Sequence, residues 1–363
     1  MRKVVIVTWT GVHNYGTALQ SFALQFAISR LGFNVCILDK IHHLSFIDRV
    51  RIMMKRLFLR LKKKKNSKAY RMNQFHREFQ NIVRPVNRRA LDKLINDTDV
   101  FVSGSDQIWN VTHRYDPMMF LEFAKEKKRI SYATSIGTSS IPEQYRADVI
   151  NHLKKYSNIS VRESSAANYL KTLTGRADIE TVLDPTFLLE PVDWHGFAQH
   201  SNLHIDLPQK YILCYFIGCN DYYQRQVEDV IEKSGNPNVV IVRLKESQPT
   251  CLERALVVDN ASPNDFVYLI ENAMMVCTDS FHATALSINL SIPFVDFLRF
   301  HDDTSESQNS RIHDLLSHYG LTKCLYSETN TSWQEPLYHK RVQEILKKDR
   351  EESMNYLTKS LIS

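Results

Sequence analysis

The stretch Lys3-Val4-Val5-Ile6-Val7, Thr8-Trp9-Thr10-Gly11-Val12-His13-Asn14-Tyr15-Gly16, the segment 17–28 and Asn34-Val35-Cys36-Ile37-Leu38-Asp39 decide the fold. Val4 to Val7 is a continuous apolar run, the mark of a strand covered on both faces. Segment 17–28 carries its apolar residues at helical spacing, and Val35 to Leu38 is a second buried-type strand. Strand, helix, strand in this order is a βαβ unit, the opening of a doubly wound α/β domain. Such folds gather ligands at the C-terminal ends of their strands. Gly11 and Gly16 let backbone approach a ligand, but they do not spell GxGxxG, so a dinucleotide fingerprint is weak.

The plan repeats along the chain. Asp99-Val100-Phe101-Val102-Ser103 runs into Gly104-Ser105-Asp106-Gln107-Ile108-Trp109-Asn110, while the strands at 129–137 and 159–166 end in small polar residues. The strand at 181–187 closes this half, with Pro185 and Pro191 bracketing a linker. A second α/β region follows: a strand at 211–218, a polar helix at 222–233, a strand at 239–242 and a helix with an N-cap signal at Asn264. Met274-Met275-Val276 then leads through Cys277-Thr278-Asp279-Ser280 into a helix from Phe281, and Pro293 to Phe297 is a last short strand. A polar loop at 301–310 precedes Arg311, and a tail with helical spacing runs from Trp333 to Ile362. A chain of 363 residues exceeds what one core usually supports. The reading is two Rossmann-like domains, 1–187 (acceptor side) and 188–330 (donor side), with a helical tail at 331–363 packing back across them.

Hydrophobic content of 43% and charged content of 24% place the chain among ordinary globular proteins. Its six cysteines show no CxxC pair, and several sit in apolar runs. They read as reduced core residues, with neither a zinc site nor a disulfide frame. The chain opens on a strand rather than a signal peptide, and no apolar run approaches the roughly 20 residues a membrane helix needs. These features predict a cytoplasmic protein. The formal charge of +6 is modest, but residues 41–79 form a basic insertion in which large apolar and cationic residues mix at 50–61 before Lys62-Lys63-Lys64-Lys65. Such a helix at 50–65 suits an anionic membrane surface at the inner face of the cell membrane; a solvated helix packing its apolar stripe is the alternative. Nucleic acid is a poorer reading, because base-stacking aromatics are not interleaved with the charge.

Among candidate site residues, His282 stands at a strand-to-helix corner. Free backbone N–H groups and the positive helix end there favour an anion, and an imidazole can hold a proton near neutral pH. The plain alternative is a filler histidine in a helix capped by Asp279 or Ser280. Asp106, Gln107, Trp109 and Asn110 offer the planar polar groups and aromatic face that hold sugars; a turn with a buried Trp explains them equally. Arg162 at a strand end suits an anion, or else an ion pair with Glu163 or another acid. No carboxylate–histidine cluster has metal-ligand spacing, so neither metal nor cofactor is expected.

These motifs, in this order, resemble the polysaccharide pyruvyl transferase family. The matching pieces are Asn14-Tyr15-Gly16-Thr17-Ala18-Leu19-Gln20, Gly104 to Asn110, Val161-Arg162-Glu163, Leu183-Asp184-Pro185-Thr186, Thr278-Asp279-Ser280-Phe281-His282 and Ser310-Arg311-Ile312. The resemblance spans about residues 1 to 320. It implies a two-domain glycosyltransferase B-like fold with its active site in a cleft, phosphoenolpyruvate as donor, and a saccharide acceptor that can be linked to polyprenyl diphosphate. The product would be a pyruvate ketal in bacterial capsule or exopolysaccharide. It also implies Asn14, Tyr15, Gly16 and Gln20, with Gln107, Trp109 and Asn110, as acceptor contacts. Many members place an Arg where this chain has Ser280, so the cation for the donor is expected from Arg162 or Arg311, with the helix start at Ser280, Ala283 and Thr284 assisting.

Ketal formation needs an acid at C3 of the enol, cations for two anionic groups and an acceptor for a hydroxyl proton. His282 fits the acid, and Asp106 or Asp279 the group that orients or deprotonates the sugar. Two other readings stay open: a nucleotide-sugar glycosyltransferase of the same architecture, and a non-catalytic organiser of glycan assembly at the membrane surface.

Overall fold

The computed structural model describes residues 1–11, 14–39, 67–112, 114–218, 222–244, 252, 254–299, 309–329, 331, 333 and 339–363. The basic stretch 50–65 and most of the loop at 301–310 lie outside the described residues. The chain divides into two compact units. The first comprises Met1–Val12, Thr17–Pro185 and Ser353–Ser363; the second comprises His13–Gly16 and Thr186–Glu352.

In the first unit the elements are β1 (Lys3–Val7), α1 (Tyr15–Arg30, from Thr17 on), β2 (Asn34–Leu38), α2 (Lys68–Phe79), β3 (Ile82–Val83), α3 (Arg88–Asn96), β4 (Val100–Ser103), β5 (Lys128–Ser131), α4 (Glu143–Leu153), β6 (Ile159–Val161), α5 (Ser164–Thr174) and β7 (Ile179–Thr181). The main sheet is parallel, in the order β3-β2-β1-β4-β5. β6 and β7 form a two-stranded parallel ladder, and isolated bridges Ile130–Asn158 and Thr134–Val161 tie β6 to the main sheet's edge. Strands β1 and β4 are buried nearly throughout because helices cover both faces of a parallel sheet.

The second unit runs α6 (Pro185–Leu188, from Thr186 on), α7 (Pro191–Ala198), β8 (Tyr211–Tyr215), α8 (Tyr222–Lys233), β9 (Asn238–Val242), β10 (Leu256–Val258), α9 (Pro263–Glu271), β11 (Met275–Thr278), α10 (Phe281–Leu290), β12 (Phe294–Asp296), α11 (Ser310–His318) and α12 (His339–Ile362, to Glu352). Its sheet, also parallel, is ordered β10-β9-β8-β11-β12. Each unit thus repeats the 3-2-1-4-5 strand order of a doubly wound fold, with its switch point beside β1/β4 or β8/β11. The fold class is α/β with two Rossmann-like units, as in glycosyltransferase B-type proteins.

Two local details differ from the sequence reading. Pro185 and Pro191 each open a short helix instead of bracketing a linker, since proline is well suited to a first helical position. Helix α9 is capped by Ser262 rather than Asn264. The Ser262 Oγ accepts from Asp265 N, and the Asp265 carboxylate accepts from Ser262 N, a capping box with Pro263 at its first turn. The tail is one helix of 24 residues. Its earlier part bonds within the second unit, where Arg350 donates to the Phe187 carbonyl. Its end bonds within the first, where Tyr356 donates to the Ser131 carbonyl and Leu357 and Leu361 are fully buried. Among the described residues no helix is long and apolar enough to cross a membrane. Cys36, Cys214, Cys277 and Cys324 are buried and free.

Candidate functional site

In the second unit the site begins where β11 stops. The Thr278 hydroxyl donates to the Tyr215 carbonyl across the sheet at 2.6 Å and accepts from Ser280 N at 3.0 Å, turning the chain sharply into α10. Asp279 points back over the switch point. Its carboxylate accepts from Ile217 N (2.7 Å), Gly218 N (2.8 Å), the Tyr223 hydroxyl (3.0 Å) and Arg299 Nε (3.1 Å), and Arg299 also donates to the Asp279 carbonyl. Gly218 makes this approach possible: a Cβ there would stand 3.0 Å from Asp279 Oδ2. Four donors on one buried carboxylate make Asp279 the clasp that fixes the corner.

His282 is the second residue of α10, 6% exposed and edge-on to Phe281 at 5.4 Å between ring centroids. Against it lies Gly16, where a Cβ would come within 2.2 Å of His282 Nδ1. Only a residue without a side chain fits there. Asn14 holds this short segment in a turn by accepting from Gly16 N. Tyr15 anchors it, stacked on Phe266 at 4.7 Å and donating to the Ala261 carbonyl. Beside Phe281 is a small recess of about 10 Å³, lined also by Asp279, Phe297, Arg299, Asn309 and Arg311.

In the first unit, Asp106 follows β4 in the left-handed region at φ 74°, a conformation uncommon for a residue with a side chain. Its carboxylate accepts from Thr17 Oγ1 and from Gln107 N, both at 2.9 Å. Next to it Ser105 and Arg162 both donate to Asp184 Oδ2 at 2.9 Å, and Arg162 Nε donates to Glu163. Burial alone would lower the Arg162 pKa, but the carboxylates of Glu163, Asp184 and Asp106 outweigh it and hold the guanidinium charged. Among the described residues no group of three or more His, Cys, Asp or Glu is placed to hold a metal ion.

The model of the family described as polysaccharide pyruvyl transferase matches residues 14–299, from the Asn14 turn to Arg299. The chain belongs to this family. Among solved structures, this pyruvyl transferase family member is similar to a putative UDP-N-acetylglucosamine 2-epimerase from Listeria monocytogenes (12% identity, 99% of this chain and 91% of that one, TM-score 0.54). It is also similar to a co-structure of MnaA with UDP from S. aureus (10% identity, 99% and 91%, TM-score 0.50). At such identities the likeness is one of fold. No curated protein sequence matches the chain.

Several sequence-proposed site residues of this family member are buried with partners inside the fold. Trp109 is 1% exposed, stacked on Phe120 and donating to the Met119 carbonyl, so its face is closed to a sugar. Asn110 is buried, with its amide on Gln107 and its oxygen on Thr112; Gln107 is 9% exposed. Gln20 is fully buried and donates to Thr8, Trp9 and Thr17. Tyr15 is a core anchor. Arg162 is engaged by two carboxylates and its side chain is 3% exposed, the ion pairing that the sequence reading held as the alternative to an anion contact. Asp279 is the clasp and not the helix cap, a position that Ser280 holds. Ala283 and Thr284 are fully buried, with Thr284 Oγ1 against the Ser280 carbonyl and Asp296; the Ser280 side chain makes no cap hydrogen bond. The structure brings together His282, Gly16, Asn14 and Tyr15, and sets Arg311 by the neighbouring recess. Two residues went unnoticed in the sequence. Arg299 carries no local motif. Trp9, 37% exposed just after β1, could have been singled out by its position at a strand's C-terminal end.

Proposed function

We propose that the protein transfers the pyruvyl group of phosphoenolpyruvate to two hydroxyls of a saccharide, forming a pyruvate ketal. The observation that carries this is the His282 imidazole at the start of α10, seated against the backbone of Gly16, within the stretch matched by the family. His282 gives a proton to C3 of the enol as a sugar hydroxyl attacks C2, and it takes that hydroxyl's proton in return. The second hydroxyl then closes the ring, its C2–O bond replacing the one to phosphate, and its proton leaves with the phosphate. Both Asp106 oxygens accept hydrogen bonds from neighbouring groups, which suits a residue that positions its loop. Trp9 offers the first unit an aromatic face for a sugar ring.

The test is inorganic phosphate release from phosphoenolpyruvate by purified protein, with and without a panel of free and polyprenyl-linked oligosaccharides. Release should depend on the saccharide and vanish in His282→Gln. Turnover of UDP-sugars without any of phosphoenolpyruvate, or an active His282→Gln, would sink the reading. The basic stretch 50–65 is proposed to hold the enzyme at an anionic membrane surface, near lipid-linked acceptors. Co-sedimentation with phosphatidylglycerol vesicles should fall as salt rises and on changing Lys62–Lys65 to glutamine; salt-independent binding would count against it.

A further inference from the structure

A buried guanidinium needs a counter-charge. In the first unit Arg162 has two, Glu163 and Asp184. Arg129, the second residue of β5, is 4% exposed, yet among the described residues no carboxylate comes within 4.0 Å of its guanidinium. Its Nη2 donates to the Lys125 carbonyl, while its Nη1 is buried without a hydrogen-bond partner. The chain that leaves α4 packs against the same strand position, with Ser157 N donating to the Arg129 carbonyl at 2.8 Å. His152, in the last turn of α4, is 7% exposed and stacked on Phe120. The Tyr115 hydroxyl lies 2.7 Å from His152 Nε2. A phenol is the better donor and an imidazole nitrogen the better acceptor, which puts the ring proton on Nδ1. That nitrogen, too, is buried without a partner. Burial, with the charges of Lys155 and Arg129, lowers the His152 pKa against the pull of Glu122 and Asp148, so the ring adds no charge of its own near pH 7. The Arg129 charge is felt at both His152 and Tyr156. The two orphaned N–H groups therefore belong to one neighbourhood.

We propose that this corner of the first unit binds a small monovalent anion, chloride under ordinary ionic conditions, held by Arg129 Nη1 with His152 Nδ1 as its second donor. A buried N–H left unmade is costly, and more so on a charged group. One anion satisfies both donors and neutralises the guanidinium, whereas a water molecule satisfies the donors and leaves the charge. A single positive charge matches a single negative one. Phosphate or sulfate would carry a second charge unpaired into surroundings that include the aromatic rings of Phe120 and Tyr156, and its desolvation would go uncompensated. The site is independent of the transfer chemistry, because it acts on the stability of the first unit.

The experiment is amide hydrogen exchange on the full chain, in sodium chloride against sodium gluconate at equal ionic strength, for wild type and Arg129→Met. Gluconate supplies the same charge on an ion too large for a buried corner. In wild type, chloride should slow exchange in peptides covering 121–131 and 152–158, by up to about tenfold between roughly 30 and 300 mM. Arg129→Met should lose this dependence. An arginine that only holds the Lys125 carbonyl would, once replaced, speed exchange equally in both salts, so a purely structural role does not mimic the result. No chloride effect in wild type, or one that persists in Arg129→Met, overturns the site. Wild-type crystals in sodium bromide test it without any variant. An anomalous peak at hydrogen-bonding distance from Arg129 Nη1 upholds the site, and its absence overturns it.

Discussion

At Gly16 a missing side chain positions a ring. A methyl group there would overlap the His282 imidazole at 2.2 Å, closer than any tolerable contact, so Gly16→Ala must push the ring or its own segment aside. A displacement on the order of 1 Å can cost about a hundredfold in rate, and phosphate-release kinetics should show that loss. His282→Ala in the same chain removes the ring from the overlap and leaves only the Cβ of residue 282, at 2.8 Å. The melting temperature of the double variant should then lie above that of Gly16→Ala, a non-additivity that marks direct contact. Equal melting temperatures would mean that the ring yields without strain. Arg162 answers to a different logic. It is buried between Glu163 and Asp184, so Arg162→Met strands two carboxylates and should cost about 3–5 kcal/mol in urea unfolding. A variant as stable as wild type but weak for the donor would restore the clamp reading.

At the scale of elements, the helix that carries His282 is tied to a carboxyl group behind it. The Thr284 hydroxyl lies 3.1 Å from the Ser280 carbonyl and 2.7 Å from Asp296 Oδ1, yet it has one proton. A protonated Asp296 resolves this by donating to the hydroxyl, which then donates to the carbonyl. Burial pushes the Asp296 carboxyl well above the usual carboxylate range, and the charge of Asp279 adds to the rise. Because the folded pKa exceeds the unfolded value of about 3.9, stability is fully present below that value and is lost as pH rises toward the folded pKa. Asp296→Asn keeps the donor and removes the ionisation. Its stability should match wild type near pH 4 and exceed it increasingly from pH 5 to pH 8, by up to about 1.4 kcal/mol per pH unit within the window. Parallel pH profiles would show that Asp296 is ionised in the folded chain. Strands and helices of this kind were legible from periodicity alone, as in β8 and β11. The cap of α9 was misplaced by two residues because Ser262 and Asp265 act as a pair across Pro263. Whether Trp109 offers its face or buries it is decided by Phe120 and Tyr156, and no local pattern carries that information. Nor does anything near Arg299 announce that it folds back on Asp279.

On the scale of the whole molecule, the division into two units was readable from length and from the restart of the strand–helix plan, but the exchange of short segments between them was not. Residues 14–16 cluster with the second unit through Tyr15, and residues 353–363 with the first. Within the first unit Tyr356, Leu357 and Leu361 are at most 6% exposed, so α12 completes its core. Leu357→Ala should therefore cost about 2–5 kcal/mol in urea unfolding, and a chain stopped after Glu352 should lose the cooperative transition of the first unit. An unchanged transition would show that the helix end is dispensable.

That last helix has a bearing on synthesis. The unit whose first strand leaves the ribosome earliest cannot close until residues 353–363 have emerged as well, whereas the unit made later already has all its parts once Glu352 is out. Nascent chains would carry an open apolar flank through most of translation, a natural binding place for a chaperone, and the domain born first would be the one to finish last.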